Sequence, residues 1–138
     1  MFGHGVAFKT VKWPPFWYGI LGMLDALGHH PALWRGDDDP SDGPHDPADR
    51  RALAELLACL VAYNVDPDGT VTPRSCYRGF EGFSFGQKKR PSPYATARLL
   101  AALRPFDDLA AEAQEVDVPA LSSSKGGTGQ AVPPKGRR

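Results

Sequence analysis

The sequence predicts an all-α chain of three to four helices joined by long loops. Three segments open with proline and continue with apolar residues at helical spacing, beginning at Pro15, Pro47 and Pro93. Proline is tolerated in the first turn of a helix because the N–H that it lacks would have no partner there. Asp46 and Ser92 precede two of these segments and can cap the exposed amides of the turn that follows.

The first helix is predicted over residues 15–28, where Phe16, Ile20, Leu24 and Leu27 share one stripe. Apolar residues occupy nearly its whole circumference, so we expect it to have neighbours on several sides. Glycines and an aspartate interrupt the apolar run, which is shorter than the roughly 20 residues that span a bilayer. The segment is therefore predicted to be a buried helix, and no membrane span is expected.

The other helices are predicted over residues 47–63, 93–103 and, more weakly, 107–115. The second is the most regular amphipathic segment, with its leucines on one face and its charged residues elsewhere. The third is expected to start after Ser92 and to stop at Pro105.

The loop between the second and third helices, residues 66–90, contains glycine, phenylalanine and arginine. Phe80, Phe83 and Phe85 alternate in it, a spacing that is compatible with a short strand but favours an irregular loop anchored on the helices.

One domain at most is expected. We predict a flexible N-terminus at residues 1–11, a helical domain at residues 12–118, and a disordered, basic tail rich in Gly, Pro and Ser at residues 119–138. The 16 basic and 16 acidic residues cancel, so no nucleic-acid partner is expected. Two cysteines and the lack of a signal-peptide pattern predict a cytoplasmic protein.

Three motifs follow one another along the chain: KWPPFWY at 12–18, DPDGTV at 66–71 and GQKKRPSPYAT at 86–96. In this order they resemble the C-terminal part of bacterial proteins related to the prenyltransferase and squalene-cyclase repeat, over about residues 12–104. The resemblance implies an α/α toroid, in which paired helices alternate between an inner and an outer ring. Val71 stands where that family's repeats commonly have an aromatic residue, and Val65 where a glutamine is common. Because three or four helices cannot close a ring, a toroid-like helical-repeat fragment is predicted.

Acidic residues between the first two helices match a diphosphate-binding pattern. Asp38, Asp39 and Asp42 fit DDxxD, by which one class of terpene synthase binds magnesium, whereas Gly36 stands where the cyclase pattern DxDD requires an acid. Neighbouring glycine and proline residues exclude the helix from which such carboxylates converge on a cation. A solvated acidic loop is predicted instead.

Residues 64–71 match the front of a calcium loop. Asn64, Asp66 and Asp68 supply oxygen at positions one, three and five, and Gly69 follows at position six. Position twelve is Ser75 where a bidentate glutamate is needed. A metal-free turn after the second helix is therefore predicted.

No zinc site is predicted. Protein prenyltransferases of the same toroid class hold zinc with an Asp, a Cys and a His, but Cys59 lies on the apolar side of the second helix, where a free cysteine is usually a core residue. His29 and His30 end the first helix, where a cation interacts favourably with exposed carbonyls. His4 and His45 lie at the chain start and in the acidic loop. No catalytic residue, metal or cofactor is therefore predicted.

The best candidate for a binding site comprises Lys88, Lys89, Arg90 and Ser92. A helix N-terminus beside cations can bind a phosphate or carboxylate, so an anion is predicted near Ser92 and Lys89. The alternative is that the three cations are simply solvated in a surface loop.

The predicted function is that of a non-catalytic helical-repeat module, which packs on itself or on a protein partner through its aromatic first helix. Trp13, Phe16, Trp17 and Tyr18 would supply that surface. The alternative is a remnant or subunit of a prenyltransferase-like or terpenoid-cyclase-like enzyme that acts on isoprenoid substrates. The absence of a helix-borne acidic motif favours the binding module.

Overall fold

The computed structural model describes residues 8–16, 19–34 and 47–121, and within these ranges the chain is mainly helical. The elements in order are β1 (Lys12–Trp13), α1 (Ile20–Gly28), α2 (Pro47–Asn64), β2 (Ser75–Cys76), α3 (Pro93–Leu103) and α4 (Ala110–Gln114). Short 3-10 helices occur at Pro31–Leu33, Ser84–Gly86 and Arg104–Leu109. The helical character of the predicted all-α fold is confirmed, whereas the β1–β2 pair was not predicted.

The first helix starts later than its sequence pattern predicts. α1 begins at Ile20, whereas the prediction placed its start at residue 15. Further towards the N-terminus, residues 12–13 are extended, because β1 pairs in parallel with β2 and the Tyr77 N–H donates to the Trp13 carbonyl at 2.8 Å. A residue before proline is biased towards extended conformations, and Trp13 occupies such a position.

α2 and α3 agree closely with their predictions. α2 extends one residue beyond the predicted 47–63, and α3 has the predicted bounds. At the start of α3 the Ser92 Oγ accepts a hydrogen bond from the Ala95 N–H at 3.2 Å, as expected of an N-cap. The predicted fourth helix is divided into a 3-10 helix and α4, and Phe106 within the 3-10 helix has non-helical backbone angles.

α1 lies at the centre of the helices and contacts both α2 and α3. Ile20, Leu21 and Leu24 of α1 are buried in one core with Leu60 of α2 and Leu99 of α3. These contacts account for the apolar residues around most of its circumference. α4 packs on α2.

Two ion pairs connect helices at the surface. Arg98 of α3 lies 3.0 Å from Asp25 of α1, and Arg50 of α2 lies 2.9 Å from Glu112 of α4. Arg50 also donates to the Asp108 carbonyl at 3.2 Å. The Arg50–Glu112 pair is exposed, and such pairs contribute little to stability. The Arg98–Asp25 pair is half-buried, and both guanidinium nitrogens Nη1 and Nη2 donate to the carboxylate.

Part of the N-terminal segment packs on the core, whereas the sequence predicts that residues 1–11 are flexible. Phe8 and Val11 are buried core residues. Asn64, at the end of α2, accepts from the Val11 N–H and donates to the Lys9 carbonyl, both at 2.8 Å. The packed region therefore begins before residue 12, while residues 1–7 lie outside the described ranges.

At the C-terminal end of the described chain, residues 118–121 form a helical turn. The Leu121 N–H donates to the Asp117 carbonyl at 3.2 Å, and the Leu121 side chain packs against the core. The packed region thus passes the predicted boundary at residue 119, and the rest of the predicted tail lies outside the described ranges.

Candidate functional site

An apolar groove of about 630 Å³ lies between α2, the end of α3 and the segment that contains α4. Its polar lining residues are Arg104, Asp107 and Gln114. The apolar ones are Leu57, Ala58, Val61, Ala62, Leu100, Leu103, Phe106, Ala110, Ala113, Val116 and Val118.

The groove exists because small residues line it where larger ones would fill the space. Alanines project from both α2 and α4, and an alanine side chain is too short to bridge two helices. Val61 is 42% exposed and Leu100 is 51% exposed, so large apolar surface on two helices is left open to solvent. Protein interiors are otherwise close-packed, which makes an unfilled apolar space of this size a candidate binding site.

Buried aromatic residues hold the wall opposite α2 in place. Phe106 is buried against Trp34, with ring centroids 4.9 Å apart, and the Trp34 indole N–H donates to the Leu27 carbonyl at 3.1 Å. Leu109 is also fully buried. Together with the Arg50–Glu112 ion pair, these contacts fix the segment that closes the groove.

A second feature is an aromatic surface formed by the loop before α3 and the segment before α1. Its members, each in contact with the next, are Tyr77, Phe16, Phe80, Phe83, Phe85 and Tyr94. The rings of Phe83 and Phe85 are stacked, with centroids 5.1 Å apart and 5° between their planes. The phenylalanines belong to an irregular loop with one 3-10 turn, as predicted.

The aromatic residues of the predicted self-association surface are in different environments. Trp13 is buried in the core, whereas Phe16 is 63% exposed and belongs to the aromatic surface. Trp17 and Tyr18 lie outside the described residues. Trp13 pairs with Cys76 in the β1–β2 pair, which the sequence pattern does not predict, whereas Phe16 lies beyond the end of β1.

The residues of the predicted anion site divide into one buried hydroxyl and three exposed cations. Ser92 is fully buried, and Lys88, Lys89 and Arg90 are exposed in the turn after the 3-10 helix Ser84–Gly86. The cations are thus presented on the surface, as the prediction requires.

The Ser92 hydroxyl is already hydrogen-bonded within the protein. Its Oγ accepts from the Ala95 N–H and lies 2.9 Å from the Ser84 Oγ, while its carbonyl accepts from the Thr96 N–H at 2.9 Å. Pro93 has no N–H. Few donors of this helix terminus can therefore reach an anion, and the three cations are the part of the predicted site that is accessible.

The turn after α2 is held by side-chain hydrogen bonds. The Asp66 Oδ2 accepts from the N–H and hydroxyl of Thr72 at 3.0 and 2.6 Å, and the Asp68 Oδ1 accepts from those of Thr70 at the same distances. The Thr70 hydrogen bonds hold the pKa of Asp68 below its ordinary value. Gly69 has a positive φ of 84°, which its lack of a side chain permits.

Asn64, the first residue of the calcium-like pattern, faces the N-terminal segment. Its amide is buried and bonded to Val11, Lys9 and Leu60. The oxygen that would begin a calcium loop is therefore used to join α2 to the chain start.

The described cysteine and histidine residues differ in environment. Burial raises the pKa of the Cys59 thiol on α2, and His29 is exposed with its Nε2 3.9 Å from the Asp25 Oδ1. His30 is exposed, and His4, His45 and residues 38–42 lie outside the described ranges. Among the residues that the structure describes, no group of three or more His, Cys, Asp or Glu side chains is placed to hold a metal ion.

In the described ranges no helix has the length and hydropathy to cross a bilayer. No protein-family model, curated protein or solved structure matches this chain. The family resemblance of the three sequence motifs therefore stays a prediction.

Proposed function

We propose that the protein is a non-catalytic binding module whose apolar groove holds an apolar small molecule. The observation that carries the proposal is the apolar lining of a groove of ligand size. Small-molecule sites in proteins have volumes of roughly 300–1,000 Å³, and this groove, at about 630 Å³, falls within that range.

The lining indicates the chemistry of the ligand. Its aliphatic residues favour an acyl, isoprenoid or aromatic skeleton, since each Å² of apolar surface removed from water contributes about 25 cal/mol. Arg104, Asp107 and Gln114 are the groups that can bond to a polar end of that ligand. An apolar molecule with one polar end fits this arrangement.

The chemistry of the lining also supports a role in binding rather than catalysis. Asp107 is its one acid, and none of its residues is Ser, Cys or His. Isoprenoid enzymes of the DDxxD type need several carboxylates that converge on a cation. A remnant of such an enzyme is the alternative, and it depends on Asp38, Asp39 and Asp42, which lie outside the described residues.

Three further predictions from the sequence belong to this proposal. The toroid-like repeat arrangement is supported by the three motifs at 12–18, 66–71 and 86–96. Self-association is supported by the exposed ring of Phe16. A cytoplasmic location is supported by the composition alone.

Binding of the neutral dye Nile red, and its displacement by a long-chain alcohol, tests the groove. Ala62→Trp places a large ring in the groove from an exposed position on α2 and should abolish dye binding while the protein stays folded. Ala52→Trp is the matched control, because Ala52 is exposed on the same helix outside the groove. Equal dye binding by Ala62→Trp and the unaltered protein would contradict the proposal.

A further inference from the structure

We propose that the aromatic surface binds single-stranded nucleic acid, with bases stacked on its rings and backbone phosphates held by the surrounding cations. This inference concerns a different face from the groove and does not depend on the proposed function.

Two of the rings are exposed to solvent and are held by a third. Phe83 is 54% exposed and Tyr94 is 47% exposed. Each contacts Phe85, which holds it in position before any ligand arrives. Stacking on aromatic side chains that are already fixed is a common way of binding bases, and it tolerates any sequence because every base has a π-face.

The loop that carries these rings is rich in positive charge. Between residues 74 and 94 the chain carries Arg74, Arg78, Lys88, Lys89 and Arg90, and its one acid in this stretch is Glu81. Arg74 is paired with Asp66 at 3.8 Å, and the Glu81 carboxylate accepts from the Gly79 N–H at 2.9 Å. The Lys12 Nζ lies 4.3 Å from the Tyr77 ring centroid.

The basic turn is held next to the phenylalanines. The Gln87 N–H donates to the Ser84 carbonyl at 3.3 Å, and its side-chain amide donates to the Glu81 carbonyl at 2.6 Å. These bonds fix Gln87, the residue before Lys88 and Lys89, to the segment that contains Phe83. A strand stacked on the rings would therefore bring its phosphates to the cations, which supplies the charge complementarity that the partner requires.

The composition favours nucleic acid over an anionic membrane, the other partner that combines negative charge with an affinity for aromatic rings. Residues 74–94 contain no Leu, Ile, Val or Met, so the apolar part of this surface consists almost entirely of rings. Aromatic faces suit bases, whereas a surface that enters a bilayer typically includes aliphatic side chains.

The test is the fluorescence anisotropy of labelled oligothymidylate and oligouridylate with the full chain. We expect binding that weakens steeply as salt is raised from about 20 to about 150 mM, because phosphate contacts release counterions. Phe83→Ala should weaken binding about tenfold or more. Phe83→Leu should weaken it similarly, because it keeps the apolar volume and removes the π-face.

Charge variants test the phosphate contacts. Lys89→Gln should weaken binding and reduce the slope of log affinity against log salt by about 0.7. Arg51→Gln on α2 is the matched control and should change neither quantity, since Arg51 is exposed outside the aromatic surface. Circular dichroism and thermal melting of each variant establish that it folds.

Several outcomes would overturn the proposal. They are no binding of either oligonucleotide at low salt, unchanged binding by Phe83→Leu, and equal losses in Lys89→Gln and Arg51→Gln. Tighter binding to phosphatidylserine vesicles than to oligonucleotides, retained in Phe83→Leu, would assign the surface to a membrane instead. Ala62→Trp should leave oligonucleotide binding intact, so failure of the groove proposal is distinguishable from failure of this one.

Discussion

At the scale of single residues, Asn64 is the polar group on which the packing of the chain start depends. Its side chain accepts from the Val11 N–H and donates to the carbonyls of Lys9 and Leu60, so three of its hydrogen-bonding positions are satisfied inside the protein. A buried polar group without such partners would destabilise the fold.

Replacing this residue should therefore be costly. Asn64→Ala leaves the buried Val11 N–H and the Lys9 carbonyl without their partner, and we expect a loss of about 2–4 kcal/mol in the free energy of unfolding. Urea unfolding measures it. Gln87→Ala, which removes a hydrogen bond in an exposed loop, is the control and should cost less than about 1 kcal/mol. Equal losses in the two variants would show that burial of the Asn64 amide is unimportant.

Cys59 makes stability dependent on alkaline pH. Burial raises the pKa of its thiol in the folded protein, whereas the thiol of the unfolded chain has a pKa of about 8.5. The contribution of the buried, neutral thiol to the free energy of unfolding is therefore fully present below about pH 8.5. It is lost as pH rises towards the pKa of the folded state, because in this range only the unfolded chain releases the proton. The free energy of unfolding should fall by at most about 1.4 kcal/mol per pH unit from this group.

Guanidinium unfolding between neutral pH and about pH 10 checks this dependence. Cys59→Ala should flatten the decline, while Cys76→Ala, which leaves the buried thiol in place, should retain it. A decline of the same slope in Cys59→Ala would assign the pH dependence to other groups.

At the scale of secondary-structure elements, the sequence predicts the helices that carry their own start signals. Ser92 and the proline after it place the beginning of α3, and the leucine spacing of α2 places its buried face. Such signals are local, so they can be read without knowledge of the fold. The predicted start of α1 at residue 15 was wrong, since α1 begins at Ile20. Ahead of it, residues 12–13 pair with β2, a segment distant in the sequence, and local signals do not predict such a pairing.

The binding features were harder to predict for the same reason. The groove depends on which sides of α2 and α3 are left uncovered, and the exposure of Val61 and Leu100 is a property of tertiary packing. The predicted basic residues are exposed as expected, but Ser92 is buried because its hydroxyl caps α3 and bonds to Ser84. The aromatic spacing of the loop was visible, whereas the contact of Phe16 with Phe80 was not.

The Ser92 cap offers a test at this scale. Ser92→Ala removes the acceptor for the Ala95 N–H, and we expect a loss of about 1–2 kcal/mol, as for other N-caps. Ser84→Ala removes only the bond between the two hydroxyls and should cost less. Thermal unfolding of both variants ranks them, and the reverse order would contradict the assignment of Ser92 as the cap.

At the scale of the whole molecule, the core joins segments from the beginning, middle and end of the described chain. Phe8, Leu60 and Leu109 belong to the same buried cluster. The N-terminal segment is thus part of the fold, and a helical domain that begins at residue 12 would lack two of its core residues.

Phe8→Ala tests this extended boundary. Removal of a buried phenylalanine ring costs about 3–5 kcal/mol, and we expect a loss of this size in urea unfolding. Phe16→Ala is the matched control, because its ring is mostly exposed, and should change stability by less than about 1 kcal/mol. Similar small losses of unfolding free energy in both variants would show that Phe8 does not belong to the packed core.

The β1–β2 pair also has a consequence for the order of folding. In the sequence, β1 precedes α1 and α2, and β2 follows them, so pairing the two strands closes a chain loop of roughly 60 residues. Closing such a loop is entropically unfavourable until other contacts bring its ends together. Helices with local contacts form in about a microsecond or less. We therefore expect β1 to join β2 after the transition state, so that weakening this pair would speed unfolding and leave the folding rate nearly unchanged. Because Tyr77 and Phe80 follow β2 directly, the aromatic surface would be the last part of the molecule to assemble and the first to come apart.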